Sequence, residues 1–172
     1  MGITSITWGS GSSWRTSGGV PDHTEGPIQL MCYEFLPYAL LRAKRLNQKT
    51  FLEGMQVKAS GKYDGGSESW AAFLCDTTSQ GRVAPDELAT LRVVPGDVIV
   101  MYGGSRDAFH TVIVSGATST GPASEGPMVY SLADRSPTDD PAEMTLAKII
   151  EQFLPYETIS VGVFTVKPAL LE

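Results

Sequence analysis

The stretch VVPGDVIVMYGGSRDAFHTVIVSG, residues 93–116, decides how the rest of the chain is read. It turns at Val93-Val94-Pro95-Gly96-Asp97 and then runs through the apolar residues Val98 to Tyr102, a length and β-branched content that predict a buried strand. Gly103 to Asp107 make a turn, and a second strand opens at His110 as HTVIVSG. After the flexible ATSTGPASEGP stretch, a third begins at Met128 as MVYSLAD. Three strands in succession predict an antiparallel meander.

Upstream, the apolar positions Phe35, Leu36, Ala39, Ala43 and Leu46 recur at helical spacing, which predicts a helix of roughly fifteen residues from Cys32. Pro37 removes a backbone donor beyond the first turn, so a kink or a late start is expected there. Residues 49–59 favour no element, KYDGGSES at 62–69 is a loop, a short helix is expected from Trp70 to Cys75, and Pro85-Asp86-Glu87 resembles a helix start. Downstream, Leu146, Ile149, Ile150, Phe153 and Leu154 predict a helix over 143–154 stopped by Pro155, and Ile159 to Val166 a last strand. Residues 1–28, rich in Gly, Ser and Thr, read as an irregular arm whose indoles, Trp8 and Trp14, pack onto the body. The strands cluster and do not alternate one for one with helices, so the class is α+β, in one domain spanning 1–172.

With 172 residues the chain is long enough to bury about two-thirds of the surface its unfolded form would expose. A net charge of −6 makes nucleic acid and anionic membranes poor partners, and leaves neutral or cationic molecules and peptides as the expected ones. Cys32 and Cys75 are the only cysteines; with two histidines they offer no zinc spacing, so neither a metal nor a cofactor is expected. No signal peptide and no apolar run of about 20 residues is visible.

A thiol in the first turn of a helix feels the positive end of the macrodipole, which favours thiolate, and Cys32 is placed there. A thiolate nucleophile needs a partner that holds it ionised and later protonates the leaving amine, and imidazole does both near neutral pH. Of the two histidines, His110 at the mouth of a strand is the better base; His23 lies in the turn-like PDHTEG. The imidazole needs an orienting group from the neighbouring strand, for which strand position favours Ser131 and charge favours Asp134. Against this stand plainer readings. Lone cysteines are usually core, Cys75 is read as structural, Asp97 as a turn residue bonding backbone amides, and Gln29 as a loop amide within reach of an oxyanion.

The order LMCYEFLPYALLRAK, VVPGDVIVMYGG, FHTVIVSG, MVYSLAD resembles the papain-like cysteine hydrolase superfamily in its NlpC-type and bacterial polymorphic-toxin branches, over about residues 28–135. The resemblance implies a papain-like fold with a catalytic helix packed on an antiparallel sheet, Cys32 as nucleophile, His110 as base, and the backbone N–H of Cys32 in the oxyanion hole. The superfamily's third residue (His, Asn, Asp or Gln) is not matched, because Ser131 stands nearest that position. The implied function is a protease domain of a secretion-system effector, delivered into the cytoplasm of a rival bacterium, cutting a protein there and restrained in the producer by an immunity protein. The alternatives are a peptidoglycan amidase or endopeptidase, a deamidase or acyltransferase, and a non-catalytic binding module on the same scaffold.

Overall fold

Every side chain of β4 (Val98–Tyr102) is buried, and the two-residue period of the strand divides them. Val98, Val100 and Tyr102 enter one apolar core; Ile99 and Met101 enter another on the opposite face. The computed structural model describes residues 6–8, 28–59, 73–104, 108–132, 142–153 and 158–170, and in them the protein is a mixed α+β fold around a six-stranded antiparallel sheet.

The strands run in the order β3 (Cys75–Thr77), β8 (Ser160–Val166), β4, β5 (Ala108–Val114), β6 (Met128–Ser131) and β7 (Ala142–Thr145). The expected meander is β4, β5 and β6, each antiparallel to the next. The last strand inserts between β3 and β4, which explains why its Val161 and Val163 are buried. Asp97 closes the turn before β4, accepting the Val94 N–H at 2.9 Å and the Thr165 hydroxyl at 2.9 Å.

One face of the sheet carries α1 (Cys32–Arg42) and α2 (Gln48–Ala59). Leu30, Cys32, Leu36, Leu46 and Phe51 close this core over Val98, Val100 and Leu132. The other face carries α3 (Leu146–Phe153), whose Leu146, Ile149 and Ile150 cover Ile99, Met101, Val112 and Val129. Each face is thus sealed by an amphipathic helix matched to one half of the same strands.

Several elements differ from expectation. The arm is not wholly irregular: β1 (Ile6–Trp8) pairs in parallel with β2 (Ile28–Leu30), a three-residue element too short for periodicity to reveal. The packing expected of Trp8 and Trp14 lies outside what the structure describes. Helix α1 starts at Cys32 and runs through Pro37 without ending, but stops at Arg42; Lys44 then takes φ 54°, and Leu46 returns to the core through a bond to the Leu40 carbonyl. Residues 70–72 lie outside the described residues, and Cys75 is on a strand because β8 offers it an edge. Pro85 does open a helix, of 3₁₀ type, over Pro85–Thr90. Glu143, Met144 and Thr145, expected in a helix, pair with β6, and the Leu146 N–H bonded to the Pro127 carbonyl fixes where the helix begins. Here strand pairing overrides helix propensity.

Leu146 is fully buried at that junction. Leu146→Ala is expected to lower unfolding free energy by about 2–5 kcal/mol, read from urea denaturation, because it leaves a cavity beneath the β6–β7 hairpin.

Candidate active site

The candidate base His110 lies on β5 directly across from Met101 of β4, and residues paired across an antiparallel ladder point to the same side. Its side chain therefore shares the α3 face with Met101 and Val112. Two contacts agree: the His110 and Phe153 ring centroids are 5.1 Å apart, and His110 Nε2 lies 2.9 Å from Ser131 Oγ. Ser131 pairs with Val112, on that same face. Just before His110 the register shifts between Met101 and Tyr102, a bulge that turns Phe109 onto Phe153 at 5.2 Å.

The candidate nucleophile is on the other side. Cys32 heads α1 as expected, but it is only 8% exposed and belongs to the core beneath α1 and α2. The β5 residue next to His110 that faces this core is Thr111, paired with Val100, with Ile113 on the same side. Thr111 Oγ1 is buried with no hydrogen-bond partner among the described residues. Glu34, fully buried, draws on the same helix end: its carboxyl accepts the Met31 N–H at 2.9 Å, a donor that a thiolate at this end would otherwise have nearby.

The structure thus brings His110 and Ser131 into contact and leaves Cys32 across the sheet from both. The expected Cys32–His110 meeting fails for one physical reason: His110 is in phase with Val112 and Val114, and those two pack under α3. Asp134, the other orienting candidate, and the rival base His23 lie outside the described residues. Gln29 is an exposed residue of β2 and not of a loop. Cys75 is buried on β3, and burial, only partly offset by Lys167, pushes its thiol up to about 12, which keeps it neutral.

His110 itself is 3% exposed, and burial lowers its pKa from 6.5 to about 4. At neutral pH the ring is uncharged, with Ser131 satisfying one nitrogen. The pair has the character of a buried structural hydrogen bond more than of a proton shuttle open to substrate.

Sequence reading missed a concave surface among the described residues that carries two arginines. Two adjoining cavities of about 420 and about 380 Å³ share the wall Thr78, Gln80, Gly81 and Arg82, with Arg92 in the first and Tyr102 in the second. Arg82 and Arg92 stand ten positions apart around a 3₁₀ turn, a spacing with no recognisable motif, and Asp76, Asp86 and Glu87 in the same stretch cancel any local charge signal. No group of three or more His, Cys, Asp or Glu side chains able to hold a metal occurs among the described residues, and no helix among them is long and apolar enough to cross a membrane. No protein-family model matches this chain, no curated protein matches its sequence, and no solved structure matches its fold.

The unfolded chain protonates His110 below pH 6.5, whereas the folded one resists until about 4. Its contribution is therefore fully present above 6.5 and is lost as pH falls through that window, by about 3 kcal/mol at most. Urea denaturation at about pH 7 and about pH 5 should show a shallower loss in His110→Leu than in the parent protein. Ser131→Ala, which leaves a ring nitrogen buried without its partner, should cost about 1–3 kcal/mol at neutral pH.

Proposed function

We propose that this chain acts by binding a partner and not by Cys–His hydrolysis, as an α+β module whose sequence order resembles that of papain-like, NlpC-type domains. The observation that carries the reading is the sheet between Cys32 and His110. A general base must come within about 3 Å of the proton it takes, directly or through one water. Here the backbone of β5 stands between imidazole and thiol, both side chains are buried, and a ring that gains its proton only near pH 4 is too weak a base to hold a thiol ionised at neutral pH. The open polar groove around Arg82 offers instead what binding needs: concavity, aromatic surface and donors.

A second reading keeps one favourable observation, the position of Cys32 in the first turn of α1. On that reading the chain is a papain-like cysteine protease domain of an antibacterial effector, acting on a protein in the cytoplasm of a recipient cell and held in check by an immunity protein. NlpC-type peptidoglycan cleavage, deamidation and acyl transfer are its variants. It requires a base other than His110 as placed here, or a rearrangement that carries His110 to the α1 face.

Iodoacetamide separates the two. In the native protein near neutral pH, Cys32 is expected to alkylate at least tenfold more slowly than a free cysteine, and at the free-thiol rate once unfolded in urea. In cells, Cys32→Ala is expected to leave any biological effect of the protein unchanged. Rapid native alkylation together with loss of effect in Cys32→Ala would establish the hydrolase reading.

A further inference from the structure

We infer that the groove between residues 78–92 and β8 binds an apolar residue carrying a free carboxylate, as at the C-terminus of a peptide. This deepens the binding reading and rests on it, in a groove lined by neither Cys32 nor His110.

The groove exists because one segment leaves the sheet and returns to it. Thr77 pairs with Phe164 and Val83 bridges to Val161, so the intervening residues arch off the edge of β8. Thr78 anchors the arch, its N–H and hydroxyl meeting the Val163 carbonyl at 3.2 and 3.0 Å. Beneath the arch is Gly162. A Cβ at that position would stand 3.2 Å from Tyr102 Cε2 and 3.4 Å from Phe164 Cε2, so the missing side chain is what keeps the space beside these rings open. Across it the Arg82 guanidinium lies 3.5 Å from the Tyr102 ring centroid.

The two halves of the groove differ in chemistry. The half lined by Cys75, Tyr102, Val163 and Phe164 is apolar, and the thiol, held neutral, adds no charge. The half lined by Ser79, Thr90 and Arg92 is the more polar of the two. Arg82 and Gln80 belong to both. Gln80 Oε1 accepts the Arg92 backbone N–H at 3.0 Å, which fixes the amide and leaves Nε2 buried with no acceptor among the described residues. No described carboxylate lies within ion-pair distance of Arg82 or Arg92.

A guanidinium stacked on an aromatic ring keeps its edge donors free and pre-oriented, the geometry that takes a carboxylate in a two-pronged bond. A carboxylate next to an apolar side chain uses both halves at once. Inorganic phosphate uses only the polar half, and its higher charge meets the repulsion of a chain whose net charge is −6.

Calorimetric and ¹⁵N NMR titrations of the full chain with N-acetyl-phenylalanine, its amide, and inorganic phosphate test this. Saturable binding of the acid, with shifts at Arg82 and Gly162 and at least tenfold weaker binding of the amide and of phosphate, is expected. Arg82→Gln and Arg92→Gln, both at exposed positions, should each weaken the acid about tenfold, with Arg92→Gln leaving unfolding free energy unchanged and Arg82→Gln lowering it by no more than the lost stacking on Tyr102. Equal binding of acid and amide, phosphate binding as tight as the acid, no saturation, or indifference to both substitutions would overturn the proposal. The titration reads the groove alone, whereas the Cys32→Ala assay reads the functional class alone. Saturable acid binding with a Cys32→Ala loss of effect therefore sinks the binding reading and keeps the groove.

Discussion

The pairing of Met101 with His110 fixes more of this protein than any other contact. Once those two residues lie opposite each other, alternation along β4 and β5 sends Ile99, Met101, His110, Val112 and Val114 toward α3, and Val98, Val100, Thr111 and Ile113 toward α1. Both cores, the burial of His110 and its bond to Ser131 follow from that one register. So does the separation of the two groups whose meeting a thiol hydrolase needs. A slip of one residue would exchange Thr111 for His110 on the α1 face, but it would also drive Val112 and Val114 out of the α3 core. Burial of two valines is worth about 3–6 kcal/mol, more than one hydrogen bond contributes.

Much of the architecture was legible in the sequence because it rests on short-range pattern. The apolar run Val98 to Tyr102, the strand through HTVIV and the helix headed by Cys32 each carry their own period. Ser131 beside His110 was legible too, as a matter of strand position. What the sequence did not carry was the side of the sheet. In HTVIVS, His110 with Val112 and Val114 makes one apolar set and Thr111 with Ile113 makes another, and neither is visibly the set that meets α1. Both faces of this sheet are covered, so the usual contrast of wet and dry sides is missing. Ala142 to Thr145 went unread as a strand for a related reason, because only β6 makes it one.

Polar groups inside the fold divide into those answered locally and those left open. Asp97 is answered by Val94 and Thr165, Glu34 by the Met31 N–H, and His110 by Ser131. Ser115 and Glu143 likewise bond across the strands at the β5–β7 side. Three buried atoms have no partner among the described residues: Thr111 Oγ1 and Thr145 Oγ1 at strand positions, and Gln80 Nε2 at the arch. Hydroxyls can turn toward a nearby carbonyl with small adjustments. A primary amide whose oxygen is already committed cannot, and this is why the arch differs in kind from the rest of the interior.

The parallel ribbon of β1 and β2 has a mechanical side. Its register, Ile6 with Ile28 through Trp8 with Leu30, ends two residues before Cys32, and Leu30 is fully enclosed. Tension applied at β1 is therefore passed by three residue pairs to β2 and from there into the root of α1. A bulky fusion attached at that end would load the helix like a lever, whereas the same cargo placed after the closing 3₁₀ turn at Pro168–Leu170 would hang from the rim of the sheet.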